Sequence, residues 1–340
     1  MKSLIARALP ICMWFATSMA LLLASASGSA TELRERRTFA PIALPVPFDS
    51  EKVALGRMLF SDPILSKRRS LSCASCHDLQ QGGTVRLPRM RGDDDQENRF
   101  NAPTIYNVAL NYVLGWQGTS KSLEASNEKT LLDRSLMGSD WSLLELRINQ
   151  SPGYSSWFKR IYGRPPVKAD LLDALVTFQK SLITPNARFD QYLRGDEAAL
   201  MQIEREGLSI FMGYGCASCH QGVNLGGNML QKFGIFPSLP SSTPDHQWVG
   251  QRPLPGSELG KSLFRVPSLR NVAVTGPYFH DGRVETLPEA VSIMGQRQLG
   301  RTLSAAETAA IVAFLNTLTG EYDGRKLEST GPPAGAVDHR

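Results

Sequence analysis

Two five-residue stretches carry the chemistry of this sequence. Cys73-Ala74-Ser75-Cys76-His77 and Cys216-Ala217-Ser218-Cys219-His220 are identical, and both read Cys-x-x-Cys-His, the attachment signature of c-type haem. The spacing has a chemical reason. Two thiols one short turn apart reach the two vinyl groups of one porphyrin, and the adjacent imidazole then lies beneath the iron as its proximal ligand. Four thiols in two pairs could instead hold one zinc, or close as two disulfides in an oxidising compartment. Zinc gives no reason for a histidine after both pairs, and a redox dithiol needs no second identical copy. Two covalently bound c-type haems are therefore the expectation.

What faces the iron opposite each histidine decides the chemistry. A thioether there makes a closed, high-potential electron-transfer site, whereas an open face allows peroxide or oxygen chemistry. Met294, well downstream of His220, is a candidate closing ligand, and a methionine in such a place is also a common core residue. Beyond the two proximal residues the histidines are His246, His280 and His339, and none lies between residues 78 and 215. Met90 and Met137 remain candidate ligands in that stretch. An open first iron is the simpler reading.

The elements that position these groups read as a duplicated helical unit. Gly56–Phe60 precedes the first motif as Gly207–Phe211 precedes the second, Pro103 leads to Asn107-Val108-Ala109 as Pro267 leads to Asn271-Val272-Ala273, and Gly118 parallels Gly282. Leu55, Met58 and Leu59 are expected on one helical face after Asp49-Ser50. Leu171, Leu175, Phe178 and Leu182 form a second stripe, and Ser304-x-x-Glu307 opens a third helix with Ile311, Phe314, Leu315 and Leu318 before Gly320. No run of alternating strands stands out. The fold class expected is mostly α, with two cytochrome c-like haem domains in tandem and long ordered loops, among them the Gly-, Pro- and Ser-rich residues 223–262.

The expected organisation is a signal peptide over 1–30, an N-terminal haem domain over 31–195, a C-terminal haem domain over 196–320 and a flexible tail over 321–340. The leader rests on Lys2 and Arg7 before an apolar run from Ala8 to Ala24 and small residues up to Ala30. Export to the periplasm follows, with no membrane contact after cleavage. The 340 residues are 42% hydrophobic and 20% charged, an ordinary globular balance that excludes disordered and fibrous classes. Removing the leader leaves 35 basic against 32 acidic residues, a net charge of +3 with signs interspersed, which excludes a nucleic-acid binder and leaves room for a protein partner.

Residues from about Phe48 to Gly320 resemble the bacterial di-haem cytochrome c peroxidases and their relatives that oxidise protein tryptophans. The resemblance rests on the two haem motifs, on Arg99-Phe100-Asn101-Ala102-Pro103-Thr104, and on Val266–Ala273 leading into Pro277-Tyr278-Phe279-His280-Asp281-Gly282-Arg283. It implies that the C-terminal haem, with His220 and Met294, takes electrons from a small cytochrome c or cupredoxin. The N-terminal haem at His77 is then the site of hydrogen peroxide, with Trp116 between the two. It also implies calcium at Asn101, Thr275 and Pro277, whose oxygens suit a hard cation. A homodimer is compatible with the pattern.

Two departures from the family stand out. The histidine that caps the resting iron is replaced by Asp93, in Gly92-Asp93-Asp94-Asp95, which is either a group acting at an open site or part of a solvated loop. The family's proton-moving glutamate aligns with Leu136 and its nearby glutamine with Ser126, so Glu124, Glu128 or an acid of the 93–95 run must substitute, or the reaction is slow. Three readings follow. The first is an exported peroxidase reducing peroxide to water, recognised by turnover with a reduced redox protein. The second is a peroxide-driven enzyme that modifies tryptophan on a partner protein. The third is a non-catalytic electron carrier or sensor with both irons closed.

Overall fold

The computed structural model describes residues 35, 37–44, 46–236 and 263–328. The expected leader, His246, His339 and residues 329–340 of the expected tail lie outside these described residues. The first half contributes α1 (Ser50–Ser61), the single turn α2 (Cys73–Cys76), α3 (Leu123–Leu132), α4 (Trp141–Gln150), α5 (Pro152–Tyr162) and α6 (Lys168–Ser181). The second contributes α7 (Arg188–Leu193), α8 (Gln202–Gly213), α9 (Leu287–Leu299) and α10 (Ala305–Asn316). Among the described residues the strands form two short antiparallel ribbons. One pairs β1 (Leu230–Lys232) with β2 (Leu263–Arg265), and the other pairs β3 (Glu321–Tyr322) with β4 (Arg325–Lys326). The first ribbon pins the two ends of the Gly- and Pro-rich stretch.

Each half is built on one tight helix crossing. The Asp49 carboxylate accepts from the Glu51 and Lys52 amides and starts α1. Its buried face is Leu55, Gly56, Leu59 and Phe60, while Met58, expected on that face, is 40% exposed because the contact centres on Gly56 and Leu59. A Cβ on Gly56 would lie 2.1 Å from the Ala174 carbonyl oxygen of α6, and a Cβ on Gly207 would lie 1.9 Å from the Ala310 oxygen of α10. Both crossings are thus backbone against backbone. Gly56→Ala is expected to cost about 1–3 kcal/mol or more, since a helix carbonyl cannot step aside as a side chain can. A drop in the denaturant midpoint measures it, and Gly153→Ala, with open space around it, serves as the control.

The duplication extends to the backbone. Asn107 and Asn271 both take left-handed conformations, with φ of 58° and 64°, and their amides donate to Leu182 O and Leu318 O at the ends of the two long helices. Their side-chain amides converge on one hydroxyl, Thr184 Oγ1, at 2.7 and 3.0 Å. Asn107 and Asn271 therefore tie the two halves at a shared buried point. Matching one-bridge turns, Leu114 with Ser120 and Tyr278 with Val284, follow in each copy.

Segments near each end of the described residues pack across the two cores. Phe39 packs in the second core with Phe189 and Leu193, and Ile42 N donates to Asp190 Oδ1 at 3.0 Å, so residues 37–44 belong with the C-terminal half. The chain passes from the first core at Leu182 to the second at Phe189, which places α7 in the second unit rather than the first. The expected flexible tail begins instead as the β3–β4 hairpin. The Tyr322 ring packs tilted against Tyr106 with centroids 5.2 Å apart, its hydroxyl accepts from Arg57 at 2.9 Å, and Leu327 is buried in the first core. The apolar residues at each end find unfilled surface on the other half, and burying them outweighs the cost of ordering a short segment.

Candidate haem sites

The two motifs fold alike. Cys73–Cys76 forms the single turn α2, steadied by the Ser72 amide donating to Ser75 Oγ at 3.0 Å, and Cys216–Ser218 forms a comparable 3₁₀ turn. In each, the histidine amide donates to the carbonyl of the first cysteine, at 2.9 Å for His77 and 3.0 Å for His220. His77 Nδ1 lies 3.3 Å from Gly83 O and His220 Nδ1 lies 3.2 Å from Leu225 O. That contact fixes the tautomer and aims Nε2 away, as a metal-ligating imidazole requires. Burial pushes both imidazoles toward the neutral form, His220 to about 4.

The thiols are not paired as disulfides, and the two motifs belong to separate cores. Among the described residues no group of three or more His, Cys, Asp or Glu comes together, which removes the single-zinc reading. Burial also raises the thiols, Cys73 to about 12 and Cys76 and Cys216 to about 11, so without a partner they stay protonated.

A cavity of about 480 Å³ opens beside His77, within the size range of cofactor sites. Cys73, Cys76, His77, Trp116 and Arg265 are among the residues that line it. Trp116 Nε1–H donates to Asn101 O at 2.8 Å, and the Arg265 guanidinium lies 5.9 Å from the Trp116 ring centroid. Arg265 is 4% exposed and its Nε–H donates to Gly115 O at 3.1 Å. Burial lowers its pKa to about 10, which still leaves it charged. A buried cation with neutral protein partners suits the propionates of a haem, and with the thiols and imidazole it completes a set that fits that group.

Other expected residues are placed as follows. Met294 is half-buried on α9, in the unit whose core includes Ala217 and Leu225 on either side of His220. Asn101 donates through Nδ2 to Leu87 O and Pro88 O, and its amide meets His280 O, on the loop that also carries Thr275 and Pro277. His280 is buried, stacked 4.1 Å from Phe264 and 6.3 Å from Trp116, and burial lowers its pKa to about 4. It is a neutral member of an aromatic cluster beside the cavity.

Asp93, expected as a catalytic candidate, is placed outside the lining of this cavity, to which Met90, Arg91 and Gly92 contribute, and it is 3% exposed rather than solvated. Its carboxylate accepts from Ser70 Oγ at 2.6 Å and from the Arg68 amide, because Gly92 is drawn against Ser135 and turns the next side chain inward. Burial opposes its ionisation, but these donors and the Arg68 charge outweigh burial and hold the carboxyl below its usual value. Its stabilisation is therefore present above an unfolded pKa of about 3.9 and lost as pH falls through the lowered folded value. Wild type is expected to exceed Asp93→Asn in unfolding free energy by a constant margin above about pH 4, closing below it. Denaturant titrations across that range measure the margin.

The other proposed acids are also away from the cavity. Glu128 is tied to Lys168 and to Trp141 Nε1, and Glu124 is exposed. The lining instead includes Asp133, Ser126, Asn127, Gln179 and Leu136. Asp133 and Arg265 were the residues sequence reasoning missed. The available signals were the position of Asp133 three residues before Leu136 and of Arg265 immediately before Val266-Pro267.

Residues 50–198 match the family model described as di-haem cytochrome c peroxidase. The chain is 37% identical over 315 residues to a cytochrome c551 peroxidase of Nitrosomonas europaea, covering 92% of this chain and 93% of that one. It is 31% identical to the methylamine utilization protein MauG of Methylorubrum extorquens, covering 81% and 80%. Among solved structures, a MauG-like protein associated with microbial copper homeostasis superposes with a TM-score of 0.68 at 29% identity, covering 83% of this chain and 93% of that one. With paired thiols and a neutral, carbonyl-anchored histidine in each of two duplicated units, and with kinship along nearly its whole length, the chain belongs to the di-haem cytochrome c peroxidase family.

Proposed function

We propose that this protein is an exported, periplasmic di-haem peroxidase that reduces hydrogen peroxide to water with electrons from a small soluble redox protein. The observation that supports the reading is the cavity lined by Cys73, Cys76 and His77, which fits a haem and also carries Trp116, Arg265 and the titratable Asp133. Bound haem supplies the redox-active iron and the electrons for cleaving the O–O bond. The chain does the rest. His77 and His220 would hold the irons, with the Gly83 and Leu225 carbonyls fixing the rings through Nδ1. Trp116 bridges toward the second unit, with its indole held by Asn101. Met294 would close the His220 site as electron entry point, and calcium, if held by Asn101, Thr275 and Pro277, would join the loops of the two units.

Frozen-solution electron paramagnetic resonance of the ferric protein, before and after peroxide, tests this reading. One high-spin and one low-spin iron, with the high-spin signal lost on peroxide addition, is the expected result, together with oxidation of a reduced cytochrome c. Two low-spin irons unmoved by peroxide would overturn it in favour of a carrier. A second reading, oxidation of tryptophan on a partner protein, is favoured by Leu136 at the cavity and by the similarity to MauG. Its mark is a partner whose mass changes by oxygen or hydrogen after peroxide treatment.

A further inference from the structure

Peroxide cleavage needs a group that takes a proton from the oxygen nearer the iron and gives it to the departing one. Among the residues lining the cavity, Asp133 is the only carboxylate. The other charged groups there, Arg91, Arg99, Lys129 and Arg265, are cations that cannot accept a proton near neutral pH. Asn127 and Gln179 hold each other through reciprocal amide bonds of 2.9 and 2.8 Å, and amides do not titrate in this range.

The local geometry presents Asp133 for the task. It caps the end of α3, where its own backbone carbonyl accepts from the Leu136 and Gly138 amides at 3.0 and 2.8 Å and folds 133–138 into a tight turn. Its Oδ1 accepts from the Ser135 amide at 2.9 Å and from Ser135 Oγ at 2.7 Å. One carboxylate oxygen is thereby anchored, and among the described residues none donates to Oδ2. The same turn bears Leu136, where the family resemblance places the missing glutamate.

We propose that Asp133 is the proton-transferring catalytic residue of this enzyme, replacing the acid lost at Leu136. The proposal rests on the peroxidase reading above. Asp133 takes the proton of the peroxide oxygen that binds iron and delivers it to the outer oxygen. Bound haem would supply the two electrons for O–O cleavage, and the outer oxygen would leave as the first water. Two electrons from the soluble redox protein and two protons from solvent would then release the second oxygen as water and restore the starting state.

The test uses the intact protein carrying both haems, with the peroxide-driven change in haem absorption followed by stopped flow. Asp133→Asn keeps an oxygen for Ser135 and is expected to slow the reaction about 10²-fold, with Asp133→Glu recovering most of the loss. Imidazole, a neutral ligand that binds iron without proton transfer, is expected to bind wild type and Asp133→Asn equally, which a merely distorted cavity would not allow. Asp133→Asn reacting within about twofold of wild type, or losing imidazole affinity in parallel, would overturn the assignment. A wild-type protein inert to peroxide would overturn the peroxidase reading itself, and this proposal with it.

Discussion

Leu136→Glu is expected to raise the rate of peroxide reduction by about tenfold, below the roughly 10²-fold or more of a newly installed acid–base group because Asp133 already serves the cavity. Leu136 lines the cavity and is only half-buried, so a carboxylate there keeps access to water. Its backbone is fixed from both sides, by its amide on Asp133 O and by its carbonyl accepting from the Asp93 amide at 2.7 Å. The substitution therefore changes chemistry and little else. Leu136→Gln, equal in size but unable to move a proton, is the control. Equal peroxide-reduction rates for the Glu and Gln variants would show that proton transfer does not limit the reaction.

Arg270→Met is expected to cost about 3–5 kcal/mol of folding stability, because it strands a buried carboxylate. Arg270 and Asp190 are 1% and 0% exposed and meet at 2.8 Å. The guanidinium also donates to Val223 O at 3.0 Å and Ala40 O at 3.1 Å, while Asp190 Oδ1 accepts from Ile42 N. One ion pair thus joins the N-terminal strap, α7 and the loop in which Leu225 O orients His220. The unfolding midpoint should fall sharply, and removing the stranded charge with Asp190→Asn in the same chain should return part of the loss. A single variant within about 1 kcal/mol of wild type would mean that water reaches Asp190 and replaces the arginine.

Much of this protein is set by sequence alone. The haem-binding turns are local, since five consecutive residues dictate where two thiols and an imidazole go, and flanking sequence cannot rearrange them much. The repeat was legible for a related reason: Gly56 and Gly207 stand where only hydrogen fits between two helices, and Asn107 and Asn271 where the backbone must turn left-handed, so both copies retained the same residue. The capped helix after Ser304 forms as its capping box predicts.

What only the tertiary structure decided depends on contacts distant in sequence. Asp93 looks like an exposed acid in a run of three, yet Arg68 and Ser70 turn it away from the cavity, a relation no local pattern encodes. Asp133 looks like a helix terminus and becomes the cavity's only carboxylate because loop 90–98 closes over loop 133–137. Arg265 lies next to a recognisable motif, but its burial beside Trp116 arises from the pairing of β2 with β1 and the approach of residues 115–116. Residues 37–44 read as part of the first haem domain and 321–328 as a flexible tail, yet the former pack in the second core and the latter in the first because the apolar surface they cover lies there. Sequence fixes which groups are available; the surfaces that the helices bury against one another decide which of them face the haem.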